Sequence, residues 1–512
     1  MVEERTHLNE RHNLLIVSDL HLNEGFDPET GRTSRLEDFF RDDAFARFLR
    51  YHDTIKGQPR FGGRPWLLIL NGDIFDFLQV VSLPQEGLPL RTVKGIDQWS
   101  ELTANEREYG LGTTAGESAW KLEQIARGHQ DFFAALGWFV ARGNHVAVVR
   151  GNHDVELHWP EVQERFVKEA KRAYVRQWLQ EGGTPPATLD TCGERIRFYP
   201  WFYHEPGRIY VEHGCQYDAA NHLRDVLNPV LPDDPQRIEL PWGSLFVRYL
   251  FNEVEDLHPF ADNVKPLTRY LGWAFRHAPF KALEVLVRRG WVFLKAFWMT
   301  GRKATASALT TADDVATPQG EQHSLPAEVV EHIQTLARRQ VGSAWQTWVG
   351  SLLEGIISLL TLLIIGAFLG LAVVTLLLRA GPAWLAAVYG AAAILAAILR
   401  HGLRMSFSYG SDRHELTDVA YALEQILAEG TARGVRVITM GHNHRPTVQR
   451  LDRAWYVNSG AWVPIYEKEG PIEGREALTF LRMAWHHQGT PALLRWDDAG
   501  GAPTRMVVWD DA

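Results

Sequence analysis

The chain has 512 residues, of which 46% are apolar, and its formal net charge at pH 7 is −9. This length exceeds what one ordinary hydrophobic core uses, so we expect two or more units, and the apolar content excludes a wholly disordered chain. The acidic balance argues against a nucleic-acid partner, because surfaces that bind phosphate backbones are basic.

Two features indicate the compartment. The only cysteines are Cys192 and Cys215, too few for a disulfide framework and typical of a reducing environment. Residues 1–13 are charged and polar and contain no apolar stretch of the kind found in a secretory signal. We therefore expect the polar part of the chain to face the cytoplasm.

A first apolar run, residues 14–17, predicts a buried strand, and Asp19 and His21 follow it directly. In an extended segment these two side chains project to the same side, which suits two ligands of one metal ion. The alternative is that they solvate the turn after the strand.

Two further strands end in the same way. Residues 66–70 lead into Gly72-Asp73, and residues 146–149 lead into Gly151-Asn152-His153-Asp154. Asp76 is interpreted as a turn or helix residue rather than a ligand. For 151–154 the competing interpretation is a polar turn.

Two more apolar runs end in histidines. Residues 209–211 precede His213-Gly214, and residues 435–440 precede Gly441-His442-Asn443-His444, whose two histidines repeat the spacing of Asp19 and His21. A pair of surface histidines is the alternative for the latter. Asp218 and Asn221 could line the same pocket, although Asp218 could equally cap a helix.

Other patterns predict the flanking elements. Ser34 and Glu37 have the spacing of a capping box, which predicts a helix through about residue 51. Thr114 and Glu117 predict a capped helix that continues towards Phe139. Residues 155–192 have a mainly helical pattern, 455–457 predict another strand, and 477–485, 493–496 and 506–509 predict terminal antiparallel strands.

A segment within residues 219–412 differs from the rest of the chain. Residues 264–303 carry nine Lys or Arg against one acid, Glu284, and three tryptophans. This pattern predicts amphipathic helices on an anionic membrane surface. The alternative is a solvated basic face on a soluble helix.

Two uncharged runs follow. Residues 355–378 are long enough to span a bilayer as a helix, and residues 383–399 are at the lower limit for a second span or form a re-entrant helix. The two would form a tight hairpin, because motifs on both sides of them can share a site only after an even number of crossings. The basic residues outside the hairpin turn place both termini in the cytoplasm by the positive-inside rule. We therefore predict a two-span membrane protein.

Together, the five strand ends offer carboxylate, imidazole and amide ligands without a thiolate. Such a set suits Mn, Fe, Zn or a mixed pair of ions, and seven ligands are about right for two ions that share a carboxylate. The ordered motifs, DLH at 19–21, GD at 72–73, GNHD at 151–154, HG at 213–214 and GHNH at 441–444, resemble the calcineurin-like metallophosphoesterase superfamily. The resemblance covers roughly residues 13–218 and 413–465.

The resemblance implies an α/β fold of two packed mixed sheets flanked by helices, to which this chain adds the inserted helical region. It implies a first domain part over 13–218 and a second over 413–512. It also assigns ligands to two divalent ions: Asp19, His21 and His444 for one, Asn152, His213 and His442 for the other, with Asp73 as the bridge. The implied chemistry is attack on phosphorus by a water that both ions activate. His153 would stabilise the transition state or protonate the leaving oxygen, and Asp154 would orient its imidazole.

The strings around DLH and GD also resemble bacterial UDP-diacylglucosamine hydrolases of lipid A synthesis, which act on a lipid-linked phosphodiester. This chain departs from them in having His153 where they generally have arginine, and in its inserted hairpin. We therefore expect a membrane-anchored, metal-dependent phosphoesterase acting on a phosphomonoester or phosphodiester, with a lipid-linked substrate as the narrower expectation. The rival is a membrane scaffold that keeps the fold without turnover.

Overall fold

The computed structural model describes residues 12–180, 182, 193–218, 220–252, 325–338, 415–466, 474–476, 478–486 and 490–506. Contacts divide the chain into two compact units. The first comprises Met1–Gln216, Ala220–Gln334 and Leu416–Ala512, and it contains the sheets and the site. The second comprises Tyr217–Ala219 and Thr335–Glu415, most of which lies outside the described residues.

The described strands and helices are as follows in chain order: β1 (Asn13–Val17), β2 (Phe26–Asp27), β3 (Arg32–Thr33), α1 (Asp42–Ile55), β4 (Trp66–Asn71), α2 (Leu88–Lys94), α3 (Ala104–Tyr109), α4 (Ala115–Gly128), α5 (Gln130–Ala141), β5 (His145–Val149), α6 (Pro160–Gln180), β6 (Ile196–Tyr199), β7 (Phe202–Glu205), β8 (Ile209–Glu212), β9 (Val230–Leu231), β10 (Asp234–Ile238), α7 (Trp242–Phe246), α8 (Glu415–Gly430), β11 (Val437–Met440), β12 (Thr447–Arg450), β13 (Trp455–Asn458), β14 (Pro464–Tyr466), β15 (Gly474–Glu476), β16 (Thr479–Met483), β17 (Ala492–Asp497) and β18 (Ala502–Arg505). Short 3-10 turns lie at Trp99–Glu101, Val155–His158 and Cys215–Tyr217, a π turn lies at Val247–Phe251, and residues 327–338 are helical.

Two mixed sheets carry the site. The larger has the order β18-β17-β16-β1-β4-β5-β6, in which β1, β4, β5 and β6 are parallel and the last three strands of the chain add antiparallel. The smaller has the order β12-β13-β11-β8-β7, with β8, β11 and β13 parallel. The five predicted strands that precede the polar motifs are confirmed as β1, β4, β5, β8 and β11.

Period-two alternation explains how the layers pack. On β1, Leu14 and Ile16 belong to a buried cluster with residues of the smaller sheet, whereas Leu15 and Val17 belong to a cluster with helices α1, α5 and α6. One face of the larger sheet therefore covers the smaller sheet and the other is covered by helices. The expected α/β architecture of two packed mixed sheets flanked by helices is confirmed.

The predicted capping box at Ser34 and Glu37 is wrong. Helix α1 begins only at Asp42, and its N-cap residue, Arg41, makes no side-chain capping bond. The Glu37 carboxylate instead accepts hydrogen bonds from the backbone N–H groups of Gly25 and Phe39, at 2.7 and 2.8 Å. Its side chain thus organises the loop after Asp19 and His21 rather than a helix end.

The second capping box is confirmed, but the helix that follows it is shorter than predicted. Thr114 accepts from the Glu117 N–H at the start of α4, which ends at Gly128, and a separate helix, α5, begins at Gln130. The break falls at His129, whose imidazole has Nε2 3.0 Å from Glu37 and Nδ1 3.0 Å from Asp42. This buried pairing holds His129 at the junction of the two helices.

At the C-terminal end, the predicted antiparallel strands are confirmed for β16 and β17. A further strand, β18, occupies Ala502–Arg505, and the strand predicted at 506–509 lies beyond it, almost entirely outside the described residues. Residues 507–512 lie outside the described residues.

No helix in the part of the chain that the structure describes is long and apolar enough to cross a membrane. The predicted spans, 355–378 and 383–399, and the predicted basic helices, 264–303, lie outside those described residues.

The His129 pairing generates a stability prediction. Burial disfavours the charged imidazole, but Glu37 and Asp42 outweigh it and raise the pKa of His129 to about 10. The protonated ring therefore stabilises the fold fully below its unfolded pKa of about 6.5, and this contribution is lost as the pH rises through about 10. His129→Gln should lower the free energy of unfolding by about 3 kcal/mol near neutral or mildly acidic pH, and the deficit should shrink in alkaline buffer.

Urea unfolding of both proteins across this pH range measures the deficit. His158→Gln is the matched control above about pH 7.5. There the His158 imidazole is neutral in the folded protein, because burial lowers its pKa to about 4, and also in the unfolded chain, where its pKa is about 6.5. A His129→Gln deficit as flat with pH as that of the control would contradict the assignment.

Candidate metal centre

The polar motifs meet where the parallel strands of both sheets end. Asp19 and His21 follow β1, Asp73 follows β4, and Asn152 follows β5; His213 follows β8, and His442 and His444 follow β11. Parallel pairing of β1 with β4, β4 with β5 and β8 with β11 brings these ends to a common edge. All seven side chains are buried.

Strained backbone marks the same residues. Among the described residues, six other than glycine have positive φ, and five of these are Asp19, His21, Asp73, His442 and His444, with φ between 51° and 69°. Such conformations cost of order 1–3 kcal/mol each and persist where the surrounding structure holds them. Here they turn each side chain off its strand and towards its neighbours.

Two glycines of the motifs are required by close approach. A Cβ on Gly151 would lie 2.2 Å from Asp73 Oδ1, and one on Gly441 would lie 2.5 Å from Asp19 Oδ2. Any side chain at either position would displace a carboxylate of the site. This explains why a glycine precedes Asn152 and His442.

The side chains form two ligand clusters, each able to hold an ion. One comprises Asp19, His21 and His444, and the other comprises Asp73, His213 and His442. In the first, His444 Nε2 lies 3.1 Å from Asp19 Oδ1 and 3.3 Å from His21 Nε2. In the second, His213 Nε2 lies 3.0 Å from Asp73 Oδ2, and His213 Nδ1 is 3.0 Å from the Asn71 carbonyl oxygen, which sets the ring orientation.

Asn152 lies next to the second cluster because the backbone that follows it is bonded to Asp73. Asp73 Oδ1 accepts from the N–H of His153, the residue after Asn152, at 2.8 Å. The amide oxygen of Asn152, Oδ1, is buried without a hydrogen-bond partner, while its Nδ2 donates to Asn221. An unpartnered buried oxygen is costly unless something not made of protein completes it. A metal ion fits that requirement.

Electrostatics keep the carboxylates ionised despite burial. Burial would raise the pKa of Asp19, but His444 outweighs it and the pKa falls to about 2. For Asp73 burial is likewise outweighed, in this case by His213 and His153, so its pKa lies well below the usual range. In return, Asp73 overcomes the burial of His213 and raises the pKa of that imidazole to about 9. A cation bound by His213 would displace the proton that Asp73 holds on that ring.

Asp76 connects the first cluster to His153. Its Oδ2 lies 2.6 Å from His153 Nδ1 and 3.6 Å from His21 Nδ1, and the carboxylate is fully buried. Burial would raise the pKa of Asp76, but His153 outweighs it and the pKa falls to about 2. The turn predicted at Asp76 is confirmed, since its Oδ1 accepts from the Leu78 N–H at 3.0 Å, but its contact with His153 was not predicted.

Asp154 has a different position from the one predicted. Its two carboxylate oxygens accept from the backbone N–H groups of Gly151 and Ile74, at 2.6 and 2.9 Å. The carboxylate that holds the His153 imidazole is Asp76, so the role predicted for Asp154 needs correction. Asp154 fixes the backbone that carries Asn152 and His153 against the end of β4.

A group of hydrogen bonds supports the backbone around Asp19 and Gly441, and it was not predicted from the sequence. Ser18 Oγ lies 2.7 Å from Ser459 Oγ, Asn458 Nδ2 donates to the Gly441 carbonyl at 2.7 Å, and the Trp462 N–H donates to the Asp19 carbonyl at 3.1 Å. The available signal was the polar string Asn458-Ser459-Gly460 directly after β13, which has the same strand-end character as the ligand motifs.

Comparison with known proteins agrees with this geometry. No curated protein shows significant similarity to the chain. A sequence model of the calcineurin-like phosphoesterase family matches residues 12–288, which is more than half of the chain and includes the first four motifs. The fifth motif, at 441–444, lies beyond that range and joins the site through the pairing of β11 with β8. The chain therefore belongs to the calcineurin-like phosphoesterase family.

Proposed function

We propose that the chain hydrolyses a phosphomonoester or phosphodiester at a centre of two divalent ions. Asp19, His21 and His444 would hold one ion, Asn152, His213 and His442 the other, and Asp73 would bridge them. The observation that carries the proposal is the pair of buried ligand clusters together with the unpartnered Asn152 oxygen. Family membership supports a metal-dependent phosphoester hydrolase as the general class.

The residues present fit such ions. Oxygen and imidazole donors without a thiolate suit Mn, Fe or Zn. Two ions held by these residues would neutralise phosphoryl oxygens and lower the pKa of a bound water. Because their pKa values are lowered, Asp19 and Asp73 are ionised at neutral pH, as metal ligands must be.

His153 would act on the substrate rather than on a metal. The ionised Asp76 carboxylate lies 2.6 Å from His153 Nδ1 and orients the ring, leaving Nε2 for the substrate. A protonated ring beside the first cluster would stabilise charge on the phosphoryl oxygens and donate a proton from Nε2 to the leaving oxygen. Its ring packs edge to face on His21, with centroids 4.8 Å apart, which places it against the proposed metal ligands.

The membrane part of the proposal rests on sequence alone. Two uncharged runs, 355–378 and 383–399, would anchor the enzyme with its site on the cytoplasmic side. An anchor beside the site raises access to substrates in the bilayer, which favours a lipid-linked phosphoester like that of the UDP-diacylglucosamine hydrolases.

The activity has a direct test. Full-length protein loaded with Mn²⁺ should hydrolyse an aryl phosphate or a bis-aryl phosphodiester, and chelation should abolish turnover until metal is restored. Asp73→Ala should remove activity to the level of the chelated protein, because it deletes the ligand common to both ions. The exposed Asp97→Asn, whose carboxylate pairs only with the exposed Arg91 among its described ion pairs, is the control and should retain full turnover.

Protein that binds two equivalents of metal yet turns over neither aryl substrate nor a panel of lipid phosphoesters in detergent would contradict the proposal. It would favour the inactive membrane scaffold instead.

Asp76 has a separate prediction. Asp76→Asn should lower kcat about 100-fold, because the imidazole of His153 loses the carboxylate that holds its orientation and its proton. Affinity for Mn²⁺ should change little, because Asp76 is not among the proposed ligands. Steady-state rates and Mn²⁺ titration measure the two effects, and a loss of metal affinity that matches the loss of rate would mean that Asp76 supports the ligand geometry only.

A further inference from the structure

A segment outside the predicted ligand motifs packs on the loops that carry the site. We call residues 220–252 the cap segment; it includes β9, β10 and α7. Thr113 Oγ1 donates to the Ile238 carbonyl at 3.2 Å and accepts from its N–H at 3.1 Å. Arg248 Nη2 donates to the carbonyl oxygens of Gly110 and Leu111, both at 2.8 Å, and Asn252 donates to the Leu78 carbonyl at 2.9 Å. These buried bonds fix the cap segment to the chain between β4 and α4.

Two cap residues reach Asn152 itself. Asn152 Nδ2 donates to Asn221 Oδ1 at 3.2 Å, and Ser244 Oγ donates to the Asn152 backbone carbonyl at 3.1 Å. Ser244 is fully buried. Helix α7 can approach Asn221 only because Gly243 lies there, since a Cβ at Gly243 would be 2.4 Å from Asn221 Oδ1.

The chemistry of an amide gives these contacts a consequence. A primary amide presents either its oxygen, which binds a cation, or its NH₂ group, which repels one. A rotation of 180° about the last side-chain bond exchanges the two. In the structure Nδ2 donates to Asn221 Oδ1 and Asn152 Oδ1 remains unpartnered, whereas a flip of the Asn152 amide alone would set two oxygens against each other.

We propose that Asn221 is a positioning residue that presents Asn152 Oδ1 to a metal ion, with Ser244 holding the backbone of Asn152 in place. The inference rests on the proposed two-metal function and deepens it. Because the cap segment supplies both contacts, its docking and the binding of that ion are linked reciprocally: each stabilises the other by the same free energy.

Metal titration of the full-length chain tests this assignment. Metal-free wild type, Asn221→Ala, Asn221→Asp and Ser244→Ala would each be titrated with Mn²⁺ by calorimetry, with electron paramagnetic resonance to distinguish a coupled ion pair from isolated ions. Asn221→Ala should bind one equivalent with near wild-type affinity and the other about 10–100-fold more weakly. Asn221→Asp keeps an acceptor for Nδ2 and should retain both equivalents.

Arg224→Ala is the matched control, because Arg224 lies in the same segment but forms a part-exposed ion pair with Glu239 at 3.3 Å. It should bind both ions like wild type. Reciprocally, Mn²⁺ should slow hydrogen exchange within 220–252 in wild type and do so less in Asn221→Ala.

Unaltered affinity for both equivalents in Asn221→Ala would overturn the inference, as would an Asn221→Asp variant as weak as Asn221→Ala. If Asn221→Ala does not fold, Ser244→Ala decides by the same criterion of one weakened equivalent. A wild type that binds no ions would instead defeat the proposed function, and one that binds two ions without turnover would defeat the activity while leaving the role of Asn221 intact.

Discussion

The site depends on the contacts of the Asp19 carboxylate, because they join the first and second parts of the domain, which are far apart in sequence. This carboxylate follows the first strand of the larger sheet, yet it accepts from the His442 N–H at 3.2 and 3.1 Å and lies 3.1 Å from His444 Nε2. Strand β11 must therefore pair with β8 in the correct register, although about 220 residues separate the two strands in sequence. Parallel pairing of Ile209 with Val437 and of Val211 with Thr439 fixes that return.

Burying so many ionisable groups is possible because three of the site's four buried carboxylates lie against an imidazole, and the fourth, Asp154, accepts from two backbone N–H groups. Isolated charges in such a place would shift their pKa and become neutral. Asp19 with His444, Asp73 with His213, and Asp76 with His153 form three such pairs. The positive φ angles of Asp19 and Asp73 represent a further cost at the same position. The fold maintains this arrangement through the rigid strand ends beneath it, which is consistent with a site organised for cations rather than for stability.

Much of this arrangement was predictable from local sequence. Short apolar runs identified the strands, and their repeated ending in Asp, Asn or His identified the seven candidate ligands, because parallel strands bring such ends together. The order of the five motifs along the chain indicated the resemblance to the calcineurin-like family. The two sheets followed from that resemblance and not from periodicity, since a run such as residues 14–17 does not by itself reveal its partners.

What the sequence could not supply depends on contacts distant along the chain. Glu37 fits the capping spacing, but tertiary bonds to Gly25 and His129 compete for the same carboxylate and win. Asp154 is adjacent to His153 in sequence, whereas Asp76 is adjacent in space, because neighbouring residues at a strand end point in different directions. Asn221 was expected near the same pocket, but neither its bond to Asn152 nor the bond from Ser244 to the Asn152 carbonyl could be read from the sequence.

The most direct measurement is the position of bound metal. Crystals of the full-length chain soaked in Mn²⁺ should show two anomalous scattering peaks about 3.5–4 Å apart. One should contact Asp19, His21 and His444, the other Asn152, His213 and His442, with Asp73 touching both. A single peak, or an ion held by His21, Asp76 and His153, which also cluster closely enough to bind one, would contradict this account.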